Sequence, residues 1–223
     1  AAFEIGQHAA RRFDASPPEA DAEMPRVVSS GAGFFVLWIA RRAETTAIAP
    51  EASTSIETTG EARSYGWIEM LAFDANANPV GPVRRLTSTT GHVSAYDVEE
   101  RSSENLVWVV ARDDGEVVDG AGGTLLRVRA RADGAEAPVV VPADGLGRGA
   151  PAFVEGPDPW LAWVGPRERL RLLPLDTTGV AVAAASVEEG LDDARPLLAL
   201  TGGRVLVAAP NAKPHLRVFT CQR

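Results

Sequence analysis

Four short, strongly β-forming segments of this chain align on one position, and that self-similarity limits the folds open to it. They read Phe35-Val-Leu-Trp38-Ile-Ala-Arg41, Asn105-Leu-Val-Trp108-Val-Val-Ala111, Trp160-Leu-Ala-Trp163-Val-Gly-Pro166 and Arg204-Val-Leu-Val207-Ala-Ala-Pro210. Trp38, Trp108 and Trp163 share a place, which Val207 takes in the fourth copy. The aligned positions stand 70, 55 and 44 residues apart. The shortest interval is near a structural unit of ~40 to 50 residues, and the longer ones imply loop insertions.

Each core is followed by a second strand-like run, at residues 67–73, 124–130, 169–175 and 215–220. Leu126-Arg-Val-Arg129 and Leu170-Arg-Leu172 alternate apolar and charged residues, the period of two expected of a strand with one buried and one wet face. Turn chemistry closes the first three runs, at Asp74-Ala-Asn-Ala-Asn78-Pro79, Ala132-Asp-Gly134 and Asp176-Thr-Thr-Gly179. Asp and Asn bond their own backbone in tight turns and Gly supplies positive φ, so these are predicted hairpin tips. Further strands are predicted beyond the tips, at 81–87, 137–141 and 180–185, and ahead of each core, at 26–29, 93–96, 151–154 and 196–200. No sustained helical periodicity with caps interrupts the series.

Four antiparallel strands joined by hairpins and repeated about four times resemble the blades of the β-propeller superfamily, with loosely patterned bacterial extracytoplasmic propellers nearest in style. The resemblance spans residues 26–223. It implies an all-β chain of about four four-stranded blades, at approximately 26–91, 92–147, 148–191 and 192–223, alone or as part of a larger ring. Residues 1–25 are read as an N-terminal strand and linker able to complete a blade. The Trp-Asp pair of the tryptophan–aspartate repeat type is absent, since Ile39, Val109 and Val164 follow the three tryptophans. The Ser-x-Asp-x-Gly-x-x-Trp box of sialidase-like propellers is absent too. The resemblance therefore implies a shape and no functional residue. A β-sandwich of successive hairpins is the rival, and it gives no reason for a tryptophan at this interval. Residues 43–64, rich in Thr, Ser, Ala and Glu, are expected to form a long loop between the second and third strands of the first unit.

The composition narrows the function classes. With 45% hydrophobic and 23% charged residues, the 223-residue chain can bury a sizeable core. Its apolar runs fall far short of the roughly 20 residues of a membrane helix. A formal net charge of −8 argues against a nucleic-acid partner. Lysine occurs once, at Lys213, against 21 arginines, a bias of G+C-rich coding.

No catalytic residue is assigned. Gly120-Ala-Gly-Gly123 lacks the lysine of a phosphate loop, and Gly145-Leu-Gly-Arg-Gly149 is read as a turn between units. His8, His92 and His215 have no metal-ligand spacing. Asp74-x-Asn76-x-Asn78 opens like a calcium loop, but Pro79 and Arg85 stand where glycine and glutamate should follow. The acidic loop of Asp113, Asp114, Glu116 and Asp119 is the better calcium candidate, with a solvated turn as the expectation and no cofactor assigned. Cys221, the only cysteine, is either an idle thiol or one half of an interchain disulfide.

The resulting expectation is a non-catalytic binding or scaffolding propeller, secreted or periplasmic, serving as a subunit or fragment of a larger assembly with another protein chain. The alternative is part of a propeller enzyme whose active site another chain completes. The expected surfaces are the 43–64 loop and the acidic loop. Both join second to third strands and so should project from the same side.

Overall fold

The computed structural model describes residues 20–43, 64–101, 105–115, 123–143, 145–147, 149–156, 159–188, 197–201, 204–209 and 215–220. These residues form an all-β structure of antiparallel sheets, each running in chain order. Sheet one contains β1 (Asp21–Ser30), β2 (Gly33–Ala43), β3 (Ser64–Asp74) and β4 (Arg84–Arg85). Sheet two contains β5 (Val93–Arg101), β6 (Leu106–Asp113), β7 (Thr124–Arg131), β8 (Gly134–Ala135) and β9 (Val139–Val141), the last pairing with β7. Sheet three contains β10 (Ala152–Val154), β11 (Trp160–Val164), β12 (Leu170–Pro174) and β13 (Ser186–Glu188). Sheet four contains β14 (Leu197–Thr201), β15 (Arg204–Ala209) and β16 (His215–Thr220). Among the described residues no α-helix occurs; a short 3-10 turn, Pro166–Glu168, links β11 to β12.

Alternation decides how the sheets stack. Phe35, Leu37 and Ile39 of β2, with Ile68 and Met70 of β3, point to one side of sheet one. There they meet Tyr96, Val98, Val107, Val109 and Val128 of sheet two. The opposite face of sheet two offers Leu106, Trp108, Val110 and Leu125 to Phe153, Leu161, Trp163 and Leu173 of sheet three. Sheet two is thus apolar on both faces, and β6 is buried at every position from Leu106 to Arg112. A strand covered on both sides reads as a continuous apolar run, which is how Leu106-Val-Trp-Val-Val-Ala111 appears.

First strands connect the sheets in series. β1 contacts β5, β5 contacts β10, and β10 contacts β14. Buried polar groups fix two of these junctions. The Tyr96 hydroxyl lies 2.8 Å from Met24 O and 2.9 Å from Leu37 O, across to sheet one. Phe153 N donates to the buried Asp97 carboxylate at 2.9 Å, across to sheet three. Burial raises the Tyr96 hydroxyl above its ordinary pKa, because the phenolate would lose its water.

Three expectations need correction. The N-terminal strand and linker read into residues 1–25 end too late, because β1 starts at Asp21 and runs through Pro25. Pro25 is accommodated by a bulge, where the register shifts between Glu23 and Arg26 on a strand paired on one side. The strand expected at 180–185 forms later, as Ser186–Glu188. Asp176 holds the tip open to Val180, and small alanines beyond it offer little side chain to pack.

The third correction concerns the aligned tryptophans. Trp38 pairs with Glu69 and Trp163 with Arg171, and both indoles lie on the faces directed away from the following sheet. Trp108 projects the other way, toward sheet three, where it and Trp163 enter one core from opposite sides. An alignment by residue type slipped by one position there, and a slip of one reverses the face.

Candidate functional site

The end of the sheets where β2 leaves at Ala43, β3 enters at Ser64, β6 leaves at Asp113 and β7 enters at Thr124 gathers most of the polar side chains of interest. Residues 44–63 and 116–122 lie outside the described residues, and with them Glu116, Asp119 and most of the predicted 43–64 loop. The feet of both connections are described, and a turn at residues 88–92 ties them together.

Gly66 N donates to Gly91 O at 2.8 Å, and His92 Nδ1 is 3.3 Å from Ser64 O. On the other side His92 N donates to Asp113 Oδ1 at 3.1 Å, and Asp114 N donates to His92 O at 3.1 Å. Gly66 has to be glycine, because a Cβ there would sit 2.5 Å from Val93 O. The foot of one connection is therefore bonded through a single turn to the foot of the next.

The two described acids of the predicted acidic loop, Asp113 and Asp114, are already engaged. Asp113 Oδ1 accepts from the N–H groups of His92 and Gly115, the latter at 2.9 Å. Asp114 Oδ1 takes Arg112 Nε at 2.5 Å, while Arg112 Nη1 also donates to Gly147 O and Gly149 O. These two carboxylates shape the turn that carries the loop. Among the described residues no group of three or more His, Cys, Asp or Glu is placed to hold a metal ion.

A second cluster lies on the outer face of sheet one. Trp38, Trp67 and Glu69 are buried side by side. Trp38 Nε1 donates to Glu69 Oε2 at 3.1 Å and Trp67 Nε1 to Glu69 Oε1 at 2.9 Å. Arg85 Nε stands 3.9 Å from the same carboxylate. Toward the loop end, the Arg42 guanidinium lies over the rings of Tyr65 and Trp67, and Tyr65 packs at a tilt on His92. Sequence reasoning missed this group. Its signal was a lone acid inside Trp67-Ile-Glu-Met-Leu, where period two puts Trp67 and Glu69 on one face.

The remaining predicted positions are dispersed. Asp74 is a hairpin tip, as expected: Oδ1 accepts from Asn76 N at 2.9 Å and Asn78 N at 2.8 Å. Asp176 repeats the arrangement with Thr178 and Val180. Gly145 and Gly149 have φ of +101° in the connection between sheets two and three, which fits the predicted turn. His215 begins β16, while His8 and Cys221 lie outside the described residues. No helix among the described residues is long and apolar enough to cross a membrane.

No protein-family model matches the chain, and no curated protein is similar to it at a significant level.

Proposed function

We propose that the chain is a run of β-propeller blades that serves as a binding or scaffolding module for another protein. The ligand surface in this proposal is the sheet end that carries Ala43, Ser64 and the Asp113 turn. The observation that carries it is the stitched pair of loop feet: Ser64 and Gly66 are bonded through residues 91 and 92 to Asp113 and Asp114. Two adjacent second-to-third-strand connections thereby rise from one rigid base, and loops on a rigid scaffold are the usual carriers of recognition. The serial contact of first strands supports the propeller part, since blades of a propeller meet through their innermost strands around a channel.

The test replaces residues 45–62 with a short Gly-Ser linker and compares both proteins as immobilised baits in extracts of the source cells. Thermal unfolding followed by circular dichroism serves as the folding control. Loss of a specifically retained protein, with the unfolding transition unchanged, is the expected result. Undiminished retention by the replaced protein would remove this surface from consideration.

A further inference from the structure

Arg41 and Arg42 are neighbours on β2, and the pleat sends them to opposite faces. Arg41 closes on Glu23 of β1, with Nε to Oε2 at 2.5 Å, so its charge is answered. Arg42 is exposed at the loop end of the sheet. Its guanidinium carbon lies 5.6 Å from the centroid of Tyr65 and 5.8 Å from that of Trp67. Its N–H groups meet no acceptor among the described residues.

Both rings are held from behind. Trp67 donates its indole N–H to the buried Glu69, which fixes the ring. A carboxylate drawing on that N–H also makes the indole face more electron-rich and a better seat for a cation. Tyr65 packs against His92, whose ring is itself placed against Ser64 O. The guanidinium therefore rests on two positioned aromatic rings, and its donor edge meets no acceptor among the described residues. A fork oriented in advance loses less entropy when it engages a ligand.

We infer that Arg42, seated on Tyr65 and Trp67, is a recognition point for a carboxylate, supplied by an acidic side chain of a protein partner. The inference rests on the proposed binding role of this end and names its chemistry. One planar fork with two parallel N–H groups matches a carboxylate. A phosphate ester would call for further donors, and the neighbouring guanidinium is spent on Glu23. In a chain of net charge −8, an arginine on an aromatic seat, with no acidic partner among the described residues, also gives an acidic partner a local point of attraction.

The test observes the arginine Nε–Hε resonances of the full chain during titration with N-acetylglutamate N-methylamide, then with inorganic phosphate at matched ionic strength. Arg42 is expected to shift along a saturating curve in the millimolar range with the glutamate probe, while exposed Arg85 and Arg167 drift linearly. Arg42→Lys, which keeps the charge and loses the fork, should weaken probe binding roughly tenfold, read from the Tyr65 ring signals. A linear Arg42 response indistinguishable from that of Arg85, or tighter saturation by phosphate, would overturn the inference. The wild-type titration answers the question even if a variant does not fold. Saturation at Arg42 alongside undiminished partner retention by the loop-replaced protein would sink the loop surface and leave the carboxylate site standing. Partner loss on loop replacement with a linear Arg42 response would do the reverse.

Discussion

Glu69 is the residue whose environment departs furthest from ordinary strand chemistry. It is 1% exposed, and two indole N–H groups share its carboxylate while Arg85 stays at the rim, 61% exposed. A buried charge is tolerated when hydrogen bonds replace its water, and removing the acceptor strands the donors instead. Glu69→Gln preserves the shape but leaves one good acceptor for two indoles. It is expected to cost about 1–3 kcal/mol in urea unfolding, the range for a buried polar group left unsatisfied. Adding Trp67→Phe removes the surplus donor, so the double variant should lose less than the sum of the two single changes. A neutral Glu69→Gln would mean that the indoles do not depend on this carboxylate. The sequence showed the acid and both tryptophans but not their partnership, because the partnership depends on the β2–β3 register that pairs Trp38 with Glu69.

At the scale of the element, the hairpin tips were the most legible feature. Asp74-x-Asn76-x-Asn78 and Asp176-Thr-Thr-Gly179 both advertise an aspartate that turns the chain by accepting from its own backbone, and both do so. The tips correspond bond for bond: Asp74 N donates to Asn78 O as Asp176 N does to Val180 O, and Val80 N to Ala72 O as Val182 N does to Pro174 O. The residues after the tips were less legible, since Val180 and the alanines beyond it suit a strand by composition but form only an isolated bridge, Ala181 to Leu175, before β13 begins at Ser186. The tips also make a pH prediction. The Asn78 backbone N–H, then its side-chain amide, holds Asp74 below its ordinary pKa. The Thr178 hydroxyl, then the Val180 N–H, does the same for Asp176. A depressed folded pKa adds stability above the unfolded value of about 3.9, and that stability is lost as pH falls through the folded pKa. Stability measured by urea midpoint should therefore decline below about pH 4, and the Asp74→Asn, Asp176→Asn double variant should decline less steeply. An unchanged acid slope in the double variant would assign that slope to other carboxylates.

At the scale of the whole molecule, stacking order governs how stability is shared. The aligned tryptophans led to strands packed in successive sheets, yet residue type could not reveal which face Trp108 occupies; its place beside Leu106 and Val110 in the core shared with sheet three does that. The consequence is that Trp108 and Trp163 load the junction between sheets two and three, while the junction between sheets one and two is built from aliphatic residues, Met70, Phe35 and Tyr96, with no tryptophan. Trp108 is fully buried, stacks on Phe153 with centroids 5.6 Å apart, and carries Arg127 and Arg129 over its ring. Arg127 in turn donates to Thr178 O, which seats the sheet-three tip against sheet two. Gly179 completes the seat, since a Cβ there would lie 2.3 Å from the Trp108 ring. Where each layer touches mainly its neighbours, stability is close to a sum of layer and junction terms. Trp108→Ala should then cost about 3–5 kcal/mol, the usual range for an aromatic deleted from a core. The loss should also be uneven. Hydrogen exchange is expected to accelerate most at Leu161 and Leu173 of sheet three, and least at Leu37 and Ile68, which face the other junction. Equal acceleration at all four amides would show one cooperative unit, in which the sheets do not exist as separable layers.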